Sequence, residues 1–117
     1  MTDCIFCKIV KGEIDSAKIW EDENFLAFLD ANPKCEGHTL IIPKKHFDNL
    51  ESLDIINSSK CIEAIQEIGK ILMQKYDAEG FNLLLNNGEV AGQIVEHVHF
   101  HLLPRKEGDD KKGIIIG

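Results

Sequence analysis

Three histidines, His97, His99 and His101, alternate with Val98, Phe100 and Leu102 near the end of the chain, and Leu103 follows. A strand sends successive side chains to opposite faces, so this spacing places the three imidazoles on one face, about 6–7 Å from one to the next. Val98, Phe100 and Leu102 then turn the other way, into a core. A half-buried strand normally fills its polar half with Thr, Lys or Glu, which makes histidine three times over a poor choice for solubility alone. Two chemical uses fit the pattern. A His-x-His pair on a strand chelates metal, and one imidazole oriented by its neighbours is a nucleophile.

The chain surrounding this stretch has 117 residues, enough for one domain with one substantial core, taken here as 1–117 with a short charged tail over 106–117. Thirteen Lys and Arg against 20 Asp and Glu give a net charge of −7. No broad basic field exists to displace counterions, so nucleic acid is not an expected partner. A small phosphate ligand is still compatible, because backbone amides bind phosphate locally. No apolar run approaches membrane-spanning length and no charged-then-apolar leader precedes Cys4, so the expectation is a cytoplasmic protein that does not enter a membrane.

Cys4 and Cys7 form a Cys-x-x-Cys pair, which is read as a redox dithiol, as half of a zinc site or as chance. No βαβ pattern accompanies it, which favours the half-site over the dithiol. Cys61 sits in a helical apolar pattern and reads as a small core residue. From Cys4 to Val10 the chain reads as a short helix, closed by Lys11-Gly12. Lys18–Glu21 and Asn24–Asp30 read as a hairpin, Asn32-Pro33 as a turn, and His38–Ile42 as a strand ended by Pro43. Ser58–Tyr76 has helical period, with Ile62, Ile65, Ile68, Gly69 and Leu72 on one face and Lys60, Glu63, Glu67, Lys70 and Gln74 on the other. Gly69 inside a helix costs about 1 kcal/mol against Ala, which points to close packing there. Phe81–Leu85 reads as an almost wholly apolar strand covered on both faces. A glycine-containing loop, 86–92, then leads into the histidine strand, and Ile114–Ile116 in the tail should cover an apolar surface. About five antiparallel strands, one long helix and one short amino-terminal helix make an α+β fold.

These residues resemble the histidine-triad family. His97-Val98-His99-Phe100-His101-Leu102-Leu103 fits its signature of histidines alternating with apolar residues, and Gly92-Gln93 lies just upstream as it does there. The stretch Ile5-Phe6-Cys7-Lys8-Ile9 and the block Gly37-His38-Thr39-Leu40-Ile41-Ile42-Pro43-Lys44-Lys45-His46 look like two further family segments. The resemblance is to the Hint-type branch, and within it to zinc-carrying bacterial-type members. It implies a histidine-triad-like α+β domain that dimerises into a continuous ten-stranded sheet. It also implies a hydrolase or transferase that cleaves purine nucleoside phosphoramidates, or related α-phosphate-substituted nucleotides, to the monophosphate through a nucleotidyl-histidine intermediate.

Carried over position by position, the resemblance makes His99 the nucleophile and His101 the group that contacts the scissile phosphate and assists the leaving group. Asp30 would hold the ribose hydroxyls, and Ile5, Phe6, Ile14 and Phe28 the base. Asn86, Gly92 and Gln93 would surround the phosphate and leaving group. Cys4, Cys7, His46 and His97 would be the ligands of a structural zinc. Ile94 stands where eukaryotic Hint members carry Ser. Two other functions are weighed beside the first. One is hydrolysis of dinucleoside polyphosphates, because Fhit-type members share a run like Gly92-Gln93-Ile94-Val95-Glu96-His97. The other is a nucleotide-binding regulatory or interaction protein whose hydrolysis is incidental.

Overall fold

The computed structural model describes residues 3–109, so the expected covering segment Ile114–Ile116 lies outside the described residues. Seven elements follow one another: α1 (Ile5–Val10), β1 (Lys18–Glu21), β2 (Phe25–Leu29), β3 (Thr39–Pro43), α2 (Ile55–Lys75), β4 (Gly80–Leu85) and β5 (Phe100–Arg105). Single 3-10 turns stand at Leu50–Ser52 and Glu89–Ala91. The five strands make one antiparallel sheet in the order β1-β2-β3-β5-β4, as the α+β expectation requires. No helix among the described residues is long and apolar enough to cross a membrane.

Strand alternation sorts the apolar residues between two layers. Phe25 and Ala27 of β2, Ile41 of β3 and Phe100 and Leu102 of β5 meet Cys61, Ala64, Ile65, Ile68 and Leu72 of α2. The other residues of the same strands, Leu26, Phe28, Leu40 and Ile42, meet Phe6 and Ile9 of α1. Val98 belongs to the α2 layer, so the odd-numbered histidines stand on the α1 side. Cys61 is the core residue expected, and burial pushes its thiol up to about 11.

The long helix begins earlier than its apolar period suggests. Asp54 caps it, accepting the amide of Asn57 at 2.8 Å, and the helix starts at Ile55 rather than Ser58. The buried stripe runs Asn57, Cys61, Ala64, Ile65, Ile68, Gly69, Leu72. Ile62, expected on that stripe, is 58% exposed. Gly69 does mark close packing: a Cβ there would lie 2.9 Å from the Phe81 ring. Strand β4, however, is only partly covered within the chain, on either face. It is a sheet edge, and Phe81, Leu83 and Leu84 are each more than a third exposed.

The histidine strand is also shorter than its alternation. Ladder pairing starts at Phe100, opposite Ile41 of β3 and Leu85 of β4. Continuing that register would put Val98 opposite Pro43, which has no N–H to give. Val98 instead donates its amide to the Phe47 carbonyl at 2.8 Å. His97 to His99 therefore approach the sheet outside its ladder, while Val98 stays on the α2 side and His99 on the α1 side.

Candidate functional site

Four imidazoles around β5 have their protonation pattern fixed by fixed neighbours. A neutral imidazole has one donor and one acceptor nitrogen, so a partner at one nitrogen assigns the other. His97 Nε2 lies 2.9 Å from the carbonyl of Pro43. It must donate, which leaves Nδ1 with a lone pair directed at Cys4 Sγ, 3.3 Å away, and Cys7 Sγ, 3.6 Å away. His46 repeats the arrangement: Nε2 donates to Asp48 Oδ1 at 2.7 Å, and Nδ1 faces Cys7 Sγ at 3.3 Å. Burial lowers the His97 pKa to about 4, so its ring is neutral at pH 7.

Cys4, Cys7, His46 and His97 thus bring four ligand atoms within 4.8 Å of one another. Tetrahedral zinc, with bonds of about 2.3 Å to sulfur and 2.0–2.1 Å to nitrogen, needs ligand separations of roughly 3.4–3.8 Å. The three S···N distances above fall close to that range, and both nitrogens offer lone pairs. The set fits a metal ion with no open position, which suits a structural site. Cys4 also caps α1, its Sγ accepting the Cys7 amide at 3.3 Å, so the same helix turn that makes the cap sets the two sulfurs side by side. Burial, and next the neighbouring Cys4, push the Cys7 thiol up to about 11. Metal binding would have to expel that proton.

His99 carries the opposite tautomer to His97. Its Nδ1 donates to the carbonyl of His97 at 2.9 Å, so Nε2 carries the lone pair. The edge of Phe6 packs against the ring at a centroid distance of 5.0 Å, and His101 lies at 5.2 Å. His99 and His101 open onto a cavity of about 580 Å³ whose walls include Ile5, Phe6, Ile14, Phe28, Asp30 and Leu40. Mostly apolar walls with a few convergent polar groups are the usual character of a small-molecule site. Seven of the positions singled out from sequence, Ile5, Phe6, Ile14, Phe28, Asp30, His99 and His101, are therefore brought to one cavity. Burial first, then His99 and His38, lower the His101 pKa to about 4.

Asn86, Gly92 and Gln93 are not among the residues lining that cavity. The reason is local: their loop closes on itself. Gln93 Oε1 accepts the Gly88 amide at 2.7 Å, while its Nε2 donates to the carbonyls of Asp48 and Val95 at 2.7 and 3.0 Å. The Gly92 and Gln93 amides donate to Glu89 and Gly88. The amides of Gly92 and Gln93 and both donors of the Gln93 side chain are thus engaged within the protein in this conformation. Asn86 lies under Gly92, its Cγ 3.7 Å from where a Cβ would stand. Ile94, by contrast, is 93% exposed at the cavity mouth.

His38 is the site residue that sequence reasoning passed over as part of a strand. It is 3% exposed, with Nε2 3.0 Å from His101 Nδ1 and 3.5 Å from Asp30 Oδ2. The signal was a histidine on the α1-facing parity of an apolar strand, shared with Leu40 and Ile42. Its partner was hidden, because the pairing of Leu40 with His101 belongs to sheet topology.

Sheet order and the face on which the imidazoles stand define a single-sheet α+β protein with a histidine-lined cavity beside a Cys₂His₂ cluster. The HIT domain model matches residues 11–108, and the chain belongs to that family. Among relatives it is 47% identical over 106 residues to an uncharacterised HIT-like protein of Methanocaldococcus jannaschii, covering 91% of this chain and 81% of that one. It is 44% identical over 114 residues to the adenosine 5'-monophosphoramidase HNT1 of Saccharomyces cerevisiae (97% and 68% covered). It is 42% identical over 107 residues to the adenylylsulfatase HINT3 of Arabidopsis thaliana (92% and 54% covered). A HIT family structure from Bacillus subtilis superposes with a TM-score of 0.90 at 42% identity, covering 98% of this chain and 82% of that one. A zinc-bound histidine triad protein from Mycobacterium smegmatis superposes with a TM-score of 0.87 at 38% identity (93% and 79% covered).

Proposed function

We propose that the protein is a nucleotide hydrolase that cleaves purine nucleoside phosphoramidates, or related nucleotides substituted at the α-phosphate, to the nucleoside monophosphate. One observation carries this reading: the carbonyl of His97 takes the Nδ1 proton of His99, so the Nε2 lone pair of His99 is presented to an apolar cavity that also holds His101 and Asp30. The relatives named for phosphoramidase and adenylylsulfatase activity support the substrate class.

In the reaction, His99 Nε2 attacks the α-phosphorus and the bond to the leaving group breaks. An amine leaving group takes up one proton from solvent as it departs, beside the His101 N–H, whereas a weakly basic one leaves as its anion; the hydrolysis of the intermediate by water returns one proton to solvent. Water then attacks the nucleotidyl-histidine, the phosphorus–nitrogen bond breaks, and the monophosphate leaves with His99 restored. Two displacements replace one difficult attack by water. His101 contacts the phosphate and leaving atom, Asp30 accepts the ribose hydroxyls, and Ile5, Phe6, Ile14 and Phe28 enclose the base. Asn86, Gly92 and Gln93 adjoin the phosphate and leaving group, and a contact through the amide groups of Gln93 requires the hydrogen bonds that hold it in its loop to break.

The Cys4, Cys7, His46, His97 cluster would hold a structural zinc ion, supported by the donor set and by the zinc-bound relative. That ion would tie α1, and with it the Phe6 wall of the cavity, to the approach to β5. The protein would work in the cytoplasm as a homodimer. The exposed Phe81, Leu83 and Leu84 on the edge strand β4, together with Ile62 on α2, support pairing across a two-fold axis into a ten-stranded sheet.

The test is turnover of adenosine 5'-phosphoramidate against diadenosine polyphosphate and against simple AMP binding, with intact-protein mass after rapid quenching. Preferred turnover of the phosphoramidate and a nucleotidyl adduct on His99 are expected. Preference for the dinucleotide, or AMP binding without turnover, would replace this reading.

A further inference from the structure

His38 lies behind the cavity, and its surroundings determine what His101 presents to a substrate. The backbone amide of Lys34 reaches His38 Nδ1 at 3.1 Å. An amide N–H only donates, so Nδ1 is the acceptor and the ring proton of neutral His38 is on Nε2. That N–H points to His101 Nδ1 at 3.0 Å. His101 Nδ1 therefore accepts, and the proton of neutral His101 is on Nε2. Both rings are neutral near pH 7, because burial lowers both pKa values.

We propose that His38 is a positioning residue that fixes His101 as an Nε2–H donor and links it to the carboxylate of Asp30. The link is a shared proton donor. Asp30 Oδ2 stands 3.5 Å from the same His38 Nε2, against 3.0 Å for His101 Nδ1. A carboxylate is the stronger acceptor, so an unsatisfied Asp30 competes with His101 for the single N–H. Hydroxyl groups donating to Asp30 remove that competition and leave the N–H to His101. Occupation of the sugar site thereby sharpens the donor at the phosphate. This inference rests on the proposed nucleotide-hydrolase reading, which supplies the hydroxyls and the leaving group.

A different use of the same residues is a cation site, since Asp30, His38 and His101 bring ligand atoms within 4.8 Å of one another. The Lys34 amide argues against it. To ligate through Nε2, His38 would have to move its proton to Nδ1, where it would face another N–H.

The glycine before His38 keeps this arrangement narrow. Gly37 has φ +82°, and a Cβ there would stand 2.7 Å from the Tyr76 ring, so the turn that delivers His38 accepts glycine alone without strain.

The test compares His38→Leu, which removes the donor, with His38→Gln, whose amide nitrogen reaches the position of Nε2. Two substrates are used: an adenosine 5'-phosphoramidate with a basic amine leaving group and adenosine 5'-(p-nitrophenyl phosphate) with a weakly basic one. His38→Leu should lower kcat about 100-fold for the amine but less than about 5-fold for p-nitrophenolate, with KM nearly unchanged, and His38→Gln should recover most of the loss. Equal losses on both substrates, or no recovery with Gln, would overturn the proposal. Long-range ¹⁵N–¹H correlation of the imidazoles gives a result independent of turnover. His101 should be the Nε2–H tautomer in the wild type and in His38→Gln, and a mixture in His38→Leu. A wild-type His101 with its proton on Nδ1 overturns the inference. Failure of the wild type to turn over either substrate, with the Nε2–H tautomer present, would overturn the functional reading and leave the positioning role of His38 standing.

Discussion

The imidazole of His97 donates to the carbonyl of Pro43 at 2.9 Å, filling with a side chain the place where a ladder bond would otherwise be. One contact thus ends β3, turns the His97 lone pair toward the cysteines and holds the backbone carbonyl that orients His99. His97→Ala should remove a metal ligand and orphan a buried carbonyl, costing about 1–3 kcal/mol before any loss of metal is counted. Metal analysis and thermal melts should show loss of bound zinc and a lower Tm, with activity falling in consequence.

His99→Ala should act differently. It removes the proposed nucleophile and leaves the Cys4, Cys7, His46, His97 set intact. Metal content, Tm and AMP binding should be retained while kcat falls by about 10³ or more. An adduct mapped to another histidine, or zinc lost from this variant and kept by His97→Ala, would reverse the division of labour.

Asp30→Asn separates binding from chemistry. Asn keeps an acceptor for the Asn32 amide, which now meets Asp30 Oδ1 at 2.9 Å. It loses the charge that accepts two hydroxyls. Hydrogen bonds to a charged group contribute about 1.5–3 kcal/mol, so KM should rise by roughly 10-fold or more. A larger effect on kcat than on KM would show that the link through His38 outweighs the direct contact.

The metal-free protein should lose stability in mild acid. His97 and His101 are both lowered to about 4 in the folded state, chiefly by burial, against 6.5 unperturbed. Between those values the unfolded chain binds more protons than the folded one, so stability rises with pH through that window. The stability is complete above pH 6.5, declines as pH falls toward 4, and loses nothing further from these groups below it. Denaturant midpoints measured from pH 7.5 to 3.5 on chelator-treated protein would check the slope, and a flat profile would contradict it.

Sedimentation tests the pairing of chains. A dimer at micromolar concentration is expected, and Leu83→Glu on the edge strand should give a monomer. Monomeric wild-type protein would remove the ten-stranded sheet.

The sequence by itself determined the faces. Period two over 97–102 puts the histidines opposite Val98, Phe100 and Leu102, and the same rule separates Phe25 and Ala27 from Leu26 and Phe28. Such periodicities are local consequences of strand and helix geometry, so they survive whatever the chain does elsewhere. Even the Asp54 cap, three residues before Asn57, was present in the sequence but masked by an apolar period that begins later. Tertiary structure alone decided which nitrogen of each imidazole has the proton. That choice rests on the carbonyl of Pro43, the carboxylate of Asp48 and the amide of Lys34. It also set His38 against His101, 63 positions apart, and turned Gln93 inward to its own loop. Apart from the Asp48 carboxylate, two residues from His46, those partners are backbone groups or neighbours across the sheet, and no residue pattern records them, because every residue type offers the same carbonyl and nearly every one the same amide.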